Sequence, residues 1–272
     1  MANTAYEDVQ VTGDRLFGVD LKLARARYFL QELDRANNAY LSTTEYKMDV
    51  VTHATDSSYT VTVVSPAPPS QALAPVFGDL VHNLRSALDY LARQLVIASG
   101  GKPADRIKGQ KDTAFPINLS PLKGGQLSDV PPGLPAPMRQ LLDQMQPYHS
   151  QVPGEHPLAQ LHQLDITDKH RLLNIVHAIG NASVAFYPDG PEELIANAAT
   201  NRYTVDLTSS VPQRIVVDRE DLHDPARPHY RLTYGLSLVE PSTSRGMPVI
   251  MLAMWLSQHV ESEVIDKFRH LF

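Results

Sequence analysis

Apolar residues recur every three or four positions between Asp14 and Leu41: Leu16, Val19, Leu23, Ala26, Leu30, Leu33 and Tyr40, with Asn37 filling one seam position. That period gathers them on one stripe and predicts a long helix that packs against another. Gly13 and Asp14 supply its start. The period then changes to two. Tyr46, Met48 and Val50 share one face, and Tyr59, Val61 and Val63 share another. Ala54-Thr55-Asp56-Ser57 separates them, so a β-hairpin is expected. Ser65-Pro66-Ala67-Pro68-Pro69 ends it, because proline cannot serve a ladder. Gln71–Ser99 returns to helical spacing, with Phe77, Leu80, Val81, Leu84, Leu88, Leu91 and Leu95 as its seam and Gly100-Gly101 as its stop. The first 99 residues thus read as two antiparallel helices with a hairpin between them.

Between Gly100 and Pro137 the chain is rich in Gly, Pro, Lys and Asp, and only Ala114-Phe115-Pro116-Ile117 reads as an ordered extended piece. A short helix is expected over Pro137–Met145, and one bent helix or two helical turns over Pro157–Leu173. Strands follow at Asn174–Ile179 and Ala182–Tyr187, joined at Gly180-Asn181, a favourable hairpin turn. Three more are expected at Tyr203–Leu207, Arg214–Val217 and Tyr230–Val239. Pro248, suited to a first helical position, opens a last long helix to Leu271. Its seam is Val249, Leu252, Leu256, Val260, Val264, Phe268 and Leu271. The expected fold class is therefore α+β: an antiparallel long-helix hairpin with an inserted β-hairpin, an antiparallel sheet and a long C-terminal helix. Residues 1–272 read as one domain, with a helical-hairpin core at 14–99, a loop-rich part at 100–156, a helix-and-sheet region at 157–240 and the C-terminal helix at 248–271.

Composition narrows the chemistry. There is no cysteine, which excludes disulfides, thiolate nucleophiles and zinc-cysteine sites. The formal net charge is −6, which disfavours broad binding to nucleic acid, although a local basic pocket would still allow RNA. Ala2-Asn3-Thr4-Ala5-Tyr6-Glu7-Asp8 has neither a basic nor an apolar leader pattern. The longest apolar run, Val249–Leu256, is far short of the about 20 residues that span a bilayer. A cytoplasmic protein without a membrane partner is expected. The chain contains no G-x-S-x-G, Walker loop, dinucleotide fingerprint or H-E-x-x-H, and no cofactor is expected.

Two stretches concentrate polar chemistry. On the second helix, His82, Ser86, Asp89 and Arg93 fall on one face opposite Leu84 and Leu88, at about 100° per residue. Arg85 lies at the flank of the seam, and Asn83 and Tyr90 flank the other side. A solvated face with an Asp89–Arg93 pair is the plain alternative. The second stretch is His162-Gln163-Leu164-Asp165-Ile166-Thr167-Asp168-Lys169-His170-Arg171. His162, Asp165, Asp168 and His170 are metal-ligand types, but they do not converge on one helix face, so no metal is expected. A capped helical turn with solvated Lys169 and Arg171 is the plain alternative there.

The segments Gly78–Asp89, Phe115-Pro116-Ile117 and Asp168-Lys169-His170-Arg171-Leu172-Leu173 resemble, in order and approximate spacing, a family of uncharacterised bacterial proteins. The resemblance covers roughly residues 15–175 and implies a bacterial or phage origin, without an activity. The chain is more distantly similar to HEPN-type helical domains, some of which are ribonucleases that use an Arg and, four to six residues later, a His on one helix. Here Arg85 is followed by Tyr90 where that histidine would stand, which removes the general acid/base. The leading expectation is a non-catalytic module that binds a small ligand or a protein partner through His82, Arg85, Asp89, Asp168, Lys169, His170 and Arg171. An endoribonuclease and a purely structural polar network are the rivals, and a homodimer is open.

Overall fold

The computed structural model of the chain describes residues 14–43, 69–104, 113–122, 127–171, 173, 175, 236–238 and 247–272 in full. It describes the backbone alone at 47–53, 58–64, 176–177, 181–187, 202–206, 215–218 and 229–231.

The body of the protein is helical. Of the residues described in full, 68% are helical, in five helices, with one short strand and no sheet. This overturns the expected α+β class. The helices are α1 (Phe17–Thr43), α2 (Leu73–Ala98), α3 (Ala136–Gln144), α4 (Pro157–His170) and α5 (Val249–Gln258). The last continues through a π-helical stretch, His259–Ile265, into α6 (Asp266–Arg269), as one interrupted rod. The physical reason for the helical body is where the large apolar side chains lie. Among the described residues, most of the buried cluster is helix seam, joined by loop residues such as Phe115 and Leu134 and by the strand residues Ile175, Leu236 and Leu238.

The alternating segments do form backbone ladders, but not one sheet. β1 (Lys47–His53) pairs antiparallel with β2 (Ser58–Val64), and β2 pairs with β6 (Ile215–Asp218). β3 (Ile175–His177) pairs with β8 (Leu236–Leu238), the one strand whose side chains are all described. β4 (Asn181–Tyr187) lies between β5 (Arg202–Asp206) and β7 (His229–Arg231). The strand partners described are β8 for β3 and β5 and β7 for β4; the hairpin expected across Gly180-Asn181 turns on residues 178–180, which lie outside the described residues. Local alternation marks a strand but carries no information about which strand lies beside it.

α2 is the central element. Its seam residues Phe77, Leu80, Val81, Leu88, Leu91 and Leu95 have no exposed surface. At its end the Gly101 N–H donates to the Val96 carbonyl (2.9 Å), and Gly100 takes φ +76°, a left-handed cap that suits glycine. α1 packs along α2. The Tyr90 ring, near the end of α2, lies against Gly18 near the start of α1, with the Lys22 ammonium 6.0 Å from the ring centre. That places the two helices antiparallel. The last rod lies along α1, also antiparallel. Arg269 holds Asp20 at 2.6 and 3.3 Å through its two terminal nitrogens, Nη2 and Nη1, and Arg27 holds Glu261. Among the described residues no helix is long and apolar enough to cross a membrane.

Candidate functional site

Arg85 is the anomaly of α2. It is 8% exposed in the middle of an apolar helix, so its guanidinium must find partners locally. Nη2 donates to Asp89 Oδ1, one turn on, at 2.8 Å, and to the Phe115 carbonyl at 2.8 Å. The Phe115 N–H in turn donates to the same Asp89 oxygen at 2.9 Å. Three groups close a ring of hydrogen bonds that pins the extended segment 113–118 onto α2. Burial pushes the Asp89 carboxyl above its ordinary range, against the opposing pull of Arg85 and the Phe115 N–H.

The far end of the same segment is held by Gln146, which is 1% exposed. Its Nε2 donates to the Pro116 carbonyl (3.0 Å) and to the Leu142 carbonyl (2.9 Å), and its Oε1 accepts from the Asn118 N–H (2.9 Å). An extended strip without a ladder partner needs such side-chain partners for its backbone. Nothing in the local sequence distinguishes Gln146 from a surface glutamine, and sequence reasoning missed it.

α4 starts at Pro157, with His156 as its cap: His156 Nδ1 accepts from the Leu158 N–H at 3.2 Å. α4 lies antiparallel to α2. Asp168 sits at Gly78, and Asp165 meets His82 (Oδ1 to Nδ1, 3.3 Å). Further along, His162 and Arg85 line one cavity. Each step forward on α2 is a step back on α4. Asp165 is 3% exposed and also accepts from Lys169 Nζ at 2.5 Å.

The expected site residues are spread along the α2–α4 contact, with Asp165 and Lys169 within electrostatic reach of Asp89 and His162. Arg85 and Asp89 belong to the clamp on Phe115. His82 and Lys169 flank Asp165. Asp168 lies at Gly78, seven residues before Arg85, which is about 10 Å along a helix axis. His170 and Arg171 are exposed at the end of α4. Arg85 and the 168–171 turn do not share one point of α2; the α4 residue at the level of Arg85 is His162. The sequence singled out His162 only as a metal-ligand type. Among the described residues no group of three or more His, Asp or Glu side chains could hold a metal ion.

The cavity beside Arg85 has a volume of about 430 Å³. Thr113, Phe115, Pro116, Asp129, Pro131 and His162 are among its lining. Two buried nitrogens on its lining residues, Arg85 Nη1 and His162 Nδ1, have no hydrogen-bond partner among the described residues. Burial, and next the Arg85 charge, hold the His162 imidazole below its ordinary pKa, so the ring is neutral near pH 7.

Gly78 has a steric role. A Cβ there would overlap the Asp168 carboxyl group. The overlapped atoms are the far end of a partly exposed, flexible side chain that can move aside, so Gly78→Ala is expected to leave the wild-type protein within about 0.5 kcal/mol of its stability. In an Asp168→Ala background the same substitution should stabilise by about 1 kcal/mol, the ordinary helix preference for alanine. Chemical denaturation of the four proteins decides it, and an equal effect in both backgrounds rules out the steric account.

No family model, curated protein or solved structure matches this chain.

Proposed function

We propose that this protein is a non-catalytic module that binds a small ligand in the cavity that residues 113–117 and 129–132 form beside Arg85 of α2 and His162 of α4. The observation that carries this reading is Arg85: a nine-tenths buried guanidinium among the residues lining the cavity, whose Nη1 has no acceptor among the described residues. A buried donor without a partner costs roughly 1–3 kcal/mol, so a wall that retains one is suited to a ligand that satisfies it. The volume lies within the range of about 300–1,000 Å³ usual for small-molecule pockets. The ring through Asp89 and Phe115 supports a structural role for the other nitrogen of the same guanidinium.

One observation favours the ribonuclease reading: a neutral imidazole, His162, shares the cavity with Arg85. Other observations oppose it. Asp89 already compensates the Arg85 charge, and Asp129 lines the same cavity, an unfavourable setting for a phosphodiester. Tyr90 faces α1 rather than Arg85.

Equilibrium dialysis of the protein against a bacterial extract, with mass spectrometry of the retained compounds, tests the binding reading. Wild type is expected to retain a compound that a cavity-filling Ala114→Leu variant does not. Equal retention by both, or cleavage of labelled transfer RNA that Arg85→Ala and His162→Ala each abolish, overturns it.

A further inference from the structure

We infer that Ser86 is an acyl-accepting site, with His82 as its base and Asp165 holding that base in place, and that it takes one acyl group from an activated ester. This goes beyond the binding reading above and does not depend on the cavity: a serine acylated once is a modification site, compatible with a module that turns nothing over. His82 and Ser86 stand one turn apart on α2, and the Ser86 hydroxyl oxygen lies 3.5 Å from His82 Nε2. Such a pair is ordinary on a helix surface. The third member makes the difference, because it comes from another element: Asp165 of α4 meets the other ring nitrogen, Nδ1, at 3.3 Å. Nucleophile, base and orienting carboxylate thus follow in the order that serine chemistry needs. Both contacts are long, as such contacts commonly are before a substrate tightens them.

Burial fixes the roles. Asp165 is 3% exposed, and its second oxygen accepts from Lys169 Nζ at 2.5 Å. A carboxylate so paired can only accept, which puts the ring hydrogen on Nδ1 and leaves the Nε2 lone pair to the Ser86 hydroxyl. His82 is half exposed and Ser86 partly exposed, so a reagent reaches both from solvent. In the reaction Ser86 Oγ bonds to the acyl carbon and its proton passes to His82 Nε2. The bond from that carbon to the leaving oxygen breaks, and the proton goes on to the leaving oxygen. Asp165 stabilises the imidazolium in between, with Lys169 offsetting part of its charge. Asp168 adds a second carboxylate within electrostatic reach of the ring, and Asp79 a third within reach of Asp168. Ser86 lies inside a helix, whose N–H groups are bonded to carbonyls one turn back and cannot hold an oxyanion. Lacking such donors, each worth about 10²–10³ in rate, acylation is slow and the acyl-serine persists.

The test incubates the full chain with p-nitrophenyl acetate and locates acetyl groups over time by peptide mass spectrometry. Ser86 is expected to gain an acetyl group, while Ser42, an exposed helix serine whose hydroxyl donates to the Ala39 carbonyl, stays unmodified. His82→Gln is expected to slow acetylation of Ser86 about 100-fold, the lower end of what a general base contributes. The half-exposed position of His82 lets that variant fold, which an unchanged melting temperature verifies. Asp165→Ala should slow acetylation as well, and Asp165→Asn should restore part of the rate, because its amide oxygen still accepts from the Nδ1 hydrogen. Acetylation of Ser86 no faster than that of Ser42, or equally fast in His82→Gln and wild type, overturns the inference. A rate that Asp165→Ala leaves unchanged removes Asp165 from the site and overturns it too. Neither result bears on the cavity, which the dialysis experiment decides.

Discussion

Asp89→Ala is expected to destabilise the protein by about 3–5 kcal/mol, more than Arg85→Ala. Removing Asp89 leaves Arg85, 8% exposed, with the Phe115 carbonyl as its one remaining partner among the described contacts. A buried charge stripped of its counter-charge is among the costliest single lesions. Arg85→Ala is milder, at about 2–3 kcal/mol, because the Asp89 carboxylate is 34% exposed and keeps the Phe115 N–H. Asp89→Asn should fall between, since its amide oxygen can still accept from Phe115 while the charge is lost. An Arg85→Met/Asp89→Leu double variant should recover part of the loss, as apolar replacements of buried ion pairs commonly do. Urea denaturation gives the free energies. A shift in melting temperature of roughly 2–4 °C per kcal/mol is expected for a chain of this size or slightly smaller. An Asp89→Ala protein within about 0.5 kcal/mol of wild type, the range of unremarkable surface changes, would remove the clamp from any account of this fold.

Stability is expected to fall as pH drops from about 6.5 towards 4, and His259 is the main cause. Its ring lies edge-on to His156, with centroids 5.1 Å apart, and its Nε2 is buried without a partner among the described residues. Burial first, and the charge His156 would carry second, push His259 down to about 4, with Glu263 pulling upward and Lys267 downward. Burial lowers His156 as well, and its Nδ1 must stay unprotonated to accept the Leu158 N–H that starts α4. The sign follows from these directions. The unfolded chain takes up protons near pH 6.5, while the folded rings resist until about 4 for His259, so the folded state binds fewer protons across that window and loses stability as pH falls. Asp89 and Asp168 act in the opposite sense, since both carboxyls are raised by burial and the folded state gains by protonating them. Their effect enters at the lower end of the window. The histidine contribution is on the order of 1–2 kcal/mol after discounting for solvent around half-buried rings. His259→Phe keeps the edge-on packing and should flatten the melting-temperature profile between pH 6.5 and 4. An unchanged slope in that variant would transfer the acid sensitivity to other groups.

The helices and their buried faces were legible in the sequence. The three-and-four spacing of Leu80, Leu84, Leu88, Leu91 and Leu95 defines the face of α2 that the structure buries, and Gly100 ends that helix where its left-handed conformation requires. The extended Phe115-Pro116-Ile117 strip was legible too, but its partners were not. Gln146 reaches it from 30 residues away, and Arg85 from the same distance on the other side. Such contacts are set by how helices cross, which no local period encodes. The same limit produced the α+β expectation. Alternation identified the strands locally, whereas the helical character of the body depends on which segments supply the buried side chains. The α2–α4 register was likewise a tertiary decision: it places His162 beside Arg85 and Asp168 at Gly78, because antiparallel rods pair residues whose numbers run in opposite directions. The sequence by itself determined which residues are polar inside an apolar helix; only the packing of α4 and segment 113–118 decided which of them form a clamp and which face a cavity.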